Sequence, residues 1–435
     1  MVPMRLRMSG LGPASIVAGV GVVAVAVAIG VFSASSIELA MIVATAVLLV
    51  GVAFRDATII PILAVPATLV QTRVIGGSLS ISDLVLALAS VIALMMLRGR
   101  GALVLQPLIW AGLAYLGMSI PTLILNRYSA NFVEWGHEVF LIIGSLIVGF
   151  VIGRENRAKA ALTIYVFACC GIAIAAIIVA AQSFLTTGAF QPAYLPDLQK
   201  NTTGGMLAVA AVIAFARPVW LGWRPGWSMF AVGLTSVGIL AAQSRQGLVG
   251  GLVGILIVSM RVHPQTRKRV KIVWLAVIPV AAYVLSQVTA QFASNNAFNS
   301  AHQRVAWYEQ SIAVWQKSPI FGVGMRWWYT DRFADQFQPP NAELEVLTEV
   351  GVFGLIGFLI LFAVAGWYLW KMDPVYGTVA FAVVATRFTQ AQFDLYWVAG
   401  QASLLWIVAG ICYGVQARDR AREARGSPLT MTTSL

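Results

Sequence analysis

Charge is the scarcest commodity in this chain: Asp, Glu, Lys and Arg together make up 11% of its 435 residues, against 59% hydrophobic. A soluble domain carries roughly a quarter charged residues, so water is excluded as the main solvent, and with it the several soluble domains that length alone suggests. Cysteine is scarce too. Cys169, Cys170 and Cys412 all lie inside apolar runs, where they act as small hydrophobes and offer neither disulfide nor metal spacing. No P-loop, dinucleotide fingerprint, zinc site or Ser-His-Asp set is present, which excludes nucleotide-driven energy coupling within the chain and implies no cofactor and no metal. Acidic residues are the rarer sign, 17 against 29 basic, for a net charge of +12. The basic residues stand singly or in short clusters between apolar runs, not along one soluble face, so a nucleic-acid partner is excluded and membrane topology explains them.

What fills the chain is apolar runs of roughly 16 to 22 residues, recurring from Pro13 to Gln416, each long enough to cross a ~30 Å hydrocarbon layer. The fold class is therefore an all-α polytopic membrane protein, residues 1–435 forming one membrane-embedded domain of about fourteen (12 to 14) transmembrane helices. Breakers place these near 14–32, 37–53, 57–72, 82–97, 102–123, 137–152, 160–183, 203–216, 226–242, 246–260, 271–288, 347–370, 375–390 and 397–415. Arg5 and Arg7 precede a first run too long for a cleaved leader, so it is read as an uncleaved helix. With the N-terminus inside, about 20 of the 29 basic residues fall on the cytoplasmic side, including Arg154, Arg157, Arg261 and the tail arginines 418, 420, 422 and 425. Both termini are expected in the cytoplasm.

Two outer stretches exceed a simple turn: 182–202 and 290–346. The second is the one sizeable extracytoplasmic loop. Within it Arg304 to Gln316 has helical spacing, Ser318-Pro319 stops that helix, and Phe321 to Met325 reads as a tight turn. Trp307, Trp315, Trp327 and Trp328 fit two readings equally: a segment lying at the lipid headgroups, or aromatics packing the loop onto the bundle. The close glycines, Gly247, Gly251 and Gly254 or Gly351 and Gly354, suit close helix approach.

The informative cations are those stranded outside: Arg73, Arg127, Arg245, Arg304, Arg326, Arg332 and Arg387, with Lys200 and Lys317. Arg245 is the sharpest, because Gln243-Ser-Arg-Gln-Gly247 is a very short hairpin that holds a guanidinium at the membrane surface. Such a group forks onto phosphate oxygens and never loses its charge. Snorkelling to lipid headgroups, or pairing with an acid such as Asp394, remain alternatives on position alone.

A resemblance sharpens this. Arg304 is followed by Trp307, Pro319 and Gly322-Val-Gly324, then by Asn341, Leu344, Glu349, Gly351 and Gly354 leading into an apolar helix. The pattern resembles the outer loop of the O-antigen ligase and Wzy-type polymerase superfamily. Ser244-Arg245-x-Gly247 is similar to its upstream Ser-Arg-Gly element, and Lys200-Asn201 to an Asn before an earlier helix. The resemblance covers about 190–365 by motif and the whole chain by hydropathy. It implies a GT-C-like bundle in the bacterial inner membrane. The implied reaction transfers glycan from a polyprenyl (undecaprenyl or decaprenyl) diphosphate carrier to a glycan or lipid acceptor hydroxyl at the outer face, with membrane lipids as surroundings and no metal. Arg245 and Arg304 take the places of the family's essential arginines. Lys200, Asn201, Arg326, Asn341, Glu345 and Arg387 are the expected substrate-binding residues.

The chain departs from the family at the base. Pro340 fills the slot where a His is usual, and proline accepts no proton. Glu343, Glu345, Glu349 and His302 are the candidate replacements. Glu345 and Glu349 share a helix face, and Glu349 stands where the family itself tends to have Glu, so it is the expected base. The alternative is a solvated or arginine-paired helix start, where acids suit the dipole. A different class of function, a flippase or transporter of lipid-linked oligosaccharide, also fits many helices with positive outer clefts. It calls for ionisable residues at mid-membrane depth, where most spans here are bare and Asp83 and Arg387 come closest. A structural scaffold explains the outer arginines poorly.

Overall fold

A computed structural model describes residues 55–74, 79–97, 100–261, 300–333, 337–397 and 400–426, with isolated positions at 51 and between 278 and 289. The expected helices at 14–32, 37–53 and 271–288, the two N-terminal arginines and the side chain of His302 lie outside the described residues. The chain divides into two compact units, Met1–Ile60 and Pro61–Leu435. In the first, the Asp56 carboxylate accepts from the Thr58 amide at 2.9 Å. All that follows concerns the second.

Every expected helix that falls on described residues is present. They are α1 (Ile59–Ala67), α2 (Ile81–Met96), α3 (Gln106–Met118), α4 (Ile120–Leu125), α5 (Ser129–Val139), α6 (Ser145–Arg154), α7 (Ala158–Thr187), α8 (Lys200–Ala216), α9 (Pro225–Ala241), α10 (Arg245–Arg261), α11 (Ser300–Trp315), α12 (Ala342–Lys371), α13 (Pro374–Ala391) and α14 (Gln401–Gly426). A short hairpin, β1 (Arg73–Val74) with β2 (Leu79–Ser80), precedes α2. Four stretches among the described residues are long and apolar enough to cross a membrane: Gly101–Leu125, Ser129–Arg154, Ala158–Thr187 and Ala342–Lys371. Shorter apolar helices Ile81–Met96, Lys200–Ala216 and Pro225–Ala241 accompany them. The protein is an all-α polytopic membrane protein. Its exposed Leu, Ile, Phe and Trp side chains, such as Phe167 and Trp367, face outward as lipid requires.

Small residues set the helix spacing. A Cβ on Gly149 would meet the Ile407 carbonyl, and one on Gly410 the Leu146 carbonyl, so α6 and α14 touch backbone to backbone. Gly247 and Gly254 likewise admit α8 and α13 to α10, as expected.

Gly351 does something different from the close helix approach expected of it. It has φ 70° and ψ −172° inside α12, a region essentially reserved for glycine, and it breaks the helical ladder there. The amides of Val352 and Phe353 turn to the Pro319 and Ile320 carbonyls, at 2.9 and 3.1 Å. The carbonyls they abandon, Thr348 and Glu349, accept from Val323 and Gly324 at 2.9 Å each. This exchange stitches the 319–324 turn onto the start of α12. Gly322, at φ 72°, fits because a side chain there would strike the Glu349 carbonyl. The Pro-x-x-Gly-x-Gly and Glu-x-Gly elements are thus two halves of one backbone joint. Gly351→Ala places a Cβ against Ile320 O in a conformation alanine avoids, at about 1–3 kcal/mol of strain before any lost hydrogen bond. A fall of at least several degrees in Tm of the detergent-solubilised protein is expected, and an unchanged Tm would refute the joint's role.

The segment between α11 and α12 keeps a small core of its own. Trp327 is fully buried with Val314, Val323 and Phe333, and its indole N–H donates to Thr348 Oγ1 at 3.2 Å. For Trp327, packing onto the bundle is therefore the correct reading of the two. Helix α11 matches the expected Arg304–Gln316 helix, and Ser311 and Val314 are buried on it.

Candidate functional site

Two polar clusters form at the end of the bundle that carries the 300–341 segment. The first is cationic. Ser244, buried, caps α10: its Oγ accepts from the Gly247 amide at 3.2 Å, and its carbonyl from Leu248 at 3.1 Å. This leaves Arg245 as the first residue of the helix. The start of α8 packs onto the same turn, since a Cβ on Gly204 would overlap the Ser244 side chain. Two helix N-termini, bearing Lys200 and Arg245, therefore lie side by side, each adding the partial positive charge of its unpaired amides. Arg304, half-buried on α11, completes the group: Lys200 lies within electrostatic reach of both Arg245 and Arg304.

Asp394 holds this cluster together. Gln246 Nε2 donates to its Oδ2 at 3.1 Å and to the Asn201 carbonyl at 3.0 Å, and the Asn201 side chain bonds to the same carboxylate. Burial pushes the Asp394 carboxyl above its ordinary range, against the opposing pull of the Leu395 amide and Arg304. Arg387 lies beneath, only 2% exposed, donating from Nη1 to Gln390 Oε1 at 2.6 Å and from Nε to the Gln401 carbonyl at 3.2 Å. Its Nη2 has no hydrogen-bond partner among the described residues.

The second cluster is acidic and deeper. Glu345 and Glu349 are buried on successive turns of α12. Arg326, in a left-handed conformation at φ 53°, donates its amide to Glu349 Oε1 at 2.7 Å. Its guanidinium meets Glu134 Oε2 on α5 at 2.5 Å. Glu134 faces His137 Nδ1 at 3.2 Å, and His137 Nε2 faces Asp83 Oδ1 of α2 at 3.0 Å. The carboxylate of Asp83 also closes a capping box with Ser80. Tyr115 donates to Glu138 at 3.1 Å alongside. A continuous string, Asp83–His137–Glu134–Arg326–Glu349, thereby ties the N-terminal helices to α12. His137→Ala leaves Asp83 and Glu134 facing one another without the group they share, and removing one partner of such a buried pair costs about 3–5 kcal/mol. Thermal unfolding should show a marked loss, smaller in His137→Gln, which still donates to one side. Equal stability of wild type and His137→Ala would show that the string is not structural.

Sequence reasoning missed Glu134, His137 and Glu138. The span that carries them begins at Ser129, where residue 137 was expected, so it is not bare of charge. Their signal was present: i, i+3, i+4 spacing puts all three on one helix face inside an apolar run. They lie in the first turns of that span and not at its centre.

Of the expected site residues, the fold brings Lys200, Asn201, Arg245, Arg304 and, from below, Arg387 to the cationic cluster, and Arg326, Glu345 and Glu349 to the acidic one. Asn341 is occupied otherwise: it caps α12 through the Leu344 amide at 2.9 Å and donates to the Gln392 carbonyl at 3.2 Å. Glu343 receives Gln392 Nε2 at 2.6 Å and lies within electrostatic reach of Tyr308, as Arg304 and Asp394 do. Pro340 is buried in the slot of the usual His. Other outer cations are spent on structure: Arg332 on Asn126 and the Val323 carbonyl, Arg127 on the Ile124 carbonyl, and Lys317 over the Phe333 ring. Tyr128, under Arg332, has its hydroxyl pushed up by burial and by Glu349.

No group of His, Cys, Asp and Glu suited to a metal ion occurs among the described residues. Fold and site together define a multi-pass membrane protein with a cluster of cations and a set of buried carboxylates. Residues 230–359 match the family model for O-antigen ligase, which supports the superfamily that the motifs resemble. The matched segment contains Arg245, Arg304, Arg326, Glu345 and Glu349, whereas Lys200, Asn201, Glu134 and Arg387 lie outside it. Comparison with curated proteins gave no match.

Proposed function

We propose that the protein is a glycosyltransferase of the inner membrane that moves a glycan from a polyprenyl diphosphate to an acceptor hydroxyl, at the face where the 290–346 loop lies. Both termini then lie in the cytoplasm. The observation that carries this reading is the convergence of Lys200 and Arg245, on two adjacent helix N-termini, with Arg304 of α11, the two arginines lying in the segment that matches O-antigen ligases. Three cations so placed repel one another, and a diphosphate relieves that repulsion. During transfer the bond between the anomeric carbon and the diphosphate oxygen breaks, and negative charge grows on the leaving group. The cluster stabilises that charge as it forms. The acceptor oxygen forms the new glycosidic bond and gives its proton to a base, which we assign to Glu349 with Glu345 beside it. The polyprenyl diphosphate leaves as an anion held by Arg245 and Arg304, so on this reading the step needs no metal.

Purified protein supplied with polyprenyl-diphosphate oligosaccharide and an acceptor tests this. Release of the polyprenyl diphosphate together with a new glycosidic product is the expected result. Movement of the intact donor across the bilayer without bond change would establish the flippase instead. The position of the buried ionisable groups favours the enzyme, because Asp83 lies in the first turn of α2 and Glu134, His137 and Glu138 lie in the first half of the span Ser129–Arg154, followed by the uncharged run 139–153.

A further inference from the structure

Between α5, the outer segment and the 392–397 turn lies a cleft that the donor reading does not use. It is lined by Glu134, Arg326, Trp328, Gln338, Glu345 and Trp397, with Glu349 on its floor and Arg73 and Tyr329 at its mouth. Counting that open mouth it holds about 250 Å³, but its closed end takes only a water-sized group. A whole sugar ring does not fit there, whereas one hydroxyl does. The ring must then lie across the mouth, where half-buried Trp328 and exposed Tyr329 offer aromatic faces. Aromatic walls with a few converging polar groups are what an uncharged polyol needs: apolar C–H faces pack on the rings and hydroxyls reach the polar atoms.

The polar atoms are arranged for that. Trp397 is 6% exposed and stacked on Tyr115, and its indole Nε1 has no hydrogen-bond partner among the described residues. A buried donor left unpaired costs free energy unless a ligand supplies an acceptor. Gln338 donates to Glu345 Oε1 at 2.5 Å, which holds one wall. Arg73 donates to the Tyr329 hydroxyl at 2.6 Å, which fixes the rim.

Charge then selects the ligand. Three carboxylates line the cleft, and the Arg326 guanidinium is engaged by Glu134. Arg73 lies out at the rim, so a group beside Glu345 and Glu349 meets carboxyls and no cation but Arg326, which Glu134 already holds. A uronate or phosphate-bearing sugar buried there finds no cation left to pair with, and an uncompensated buried charge is costly. We infer that this cleft is the acceptor subsite and that it takes an uncharged glycosyl residue, one hydroxyl entering the closed end toward Glu349 while the ring lies on Trp328 and Tyr329. This rests on the transfer reaction proposed above, and it names the chemistry of the acceptor that the cationic cluster leaves open.

The test uses full-length protein in lipid nanodiscs with two kinds of probe. Methyl glucoside, galactoside, mannoside and N-acetylglucosaminide, with methyl glucuronide as the anionic counterpart, are titrated by saturation-transfer NMR. Geranyl diphosphate is titrated in parallel. At least one neutral glycoside should bind wild type, at least tenfold more weakly to Trp328→Ala and to Tyr329→Ala, the second being an exposed position that keeps the fold. Methyl glucuronide should bind wild type at least tenfold more weakly than the best neutral glycoside. The inference is overturned if no neutral glycoside binds, if both aromatic variants bind like wild type, or if the glucuronide binds as well as the neutral sugars. Geranyl diphosphate reads the donor site separately, with binding lost in Arg304→Ala and kept in Tyr329→Ala. Glycoside binding without geranyl diphosphate binding would remove the donor reading and leave the cleft a sugar site.

Discussion

Arg304→Ala and Arg245→Ala should each reduce glycan transfer at least ~10²–10³-fold, the loss expected when a preorganised donor to a developing anion is removed. The protein should remain in the membrane, because neither side chain belongs to a buried core. Lysine at either position restores the charge but not the fork, so Arg304→Lys should recover only part of the activity. The decisive measurement separates binding from chemistry: with a polyprenyl diphosphate as ligand, affinity and transfer rate should both fall in the alanine variants. Full transfer by both would end the diphosphate-clamp assignment. Asp394 supplies an internal control. It lies within electrostatic reach of Lys200 and Arg304, so Asp394→Asn should bind the diphosphate more tightly while keeping its bonds to Gln246 and Asn201.

Glu349→Gln should lower the transfer rate ~10²–10⁴-fold, the usual worth of a general base, with little change in diphosphate affinity. The substitution keeps an oxygen for the Arg326 amide, so the 2.7 Å bond that holds the outer segment survives. Glu345→Gln is the comparison that assigns the role: if it alone is inactive, the base is Glu345 and Glu349 is its neighbour. Should both glutamine variants transfer at the wild-type rate, the acceptor proton leaves by another route, and Glu343 beside Tyr308 is the residue to replace next.

Much of the cationic cluster was legible from the chain. Lys200, Arg245 and Arg304 stood out because positive-inside counting left them on the wrong side, and the very short hairpin fixed Arg245 at the surface. Helix positions were legible for the same reason that hydropathy works at all: lipid forces every spanning segment to satisfy its own backbone, so runs and breakers mark the ends. The acidic cluster was not legible as a site. Glu345 and Glu349 announced a shared face, but Glu134 and His137 come from a helix about two hundred positions earlier in the chain, and nothing local says that α5 packs against the outer segment. Asn341 shows the reverse error of emphasis, since its side chain is used in a helix cap that the residue type also predicts.

Gly351 marks the boundary between the two kinds of information. Its place in a Glu-x-Gly-x-x-Gly run could be read at once, and close helix packing was a reasonable account of it. The kink, and the exchange of hydrogen bonds with residues 319–324, depend on a segment some thirty residues upstream folding back onto it. From the order of residues alone follow the membrane, the helices and the few cations that stand apart from the basic clusters, because these are set by local hydropathy and by counting. Which carboxylate meets which arginine, and that a hydroxyl-sized cleft opens beside them, came from the packing of distant helices, since burial and ion pairing are properties of neighbours in space and not in sequence.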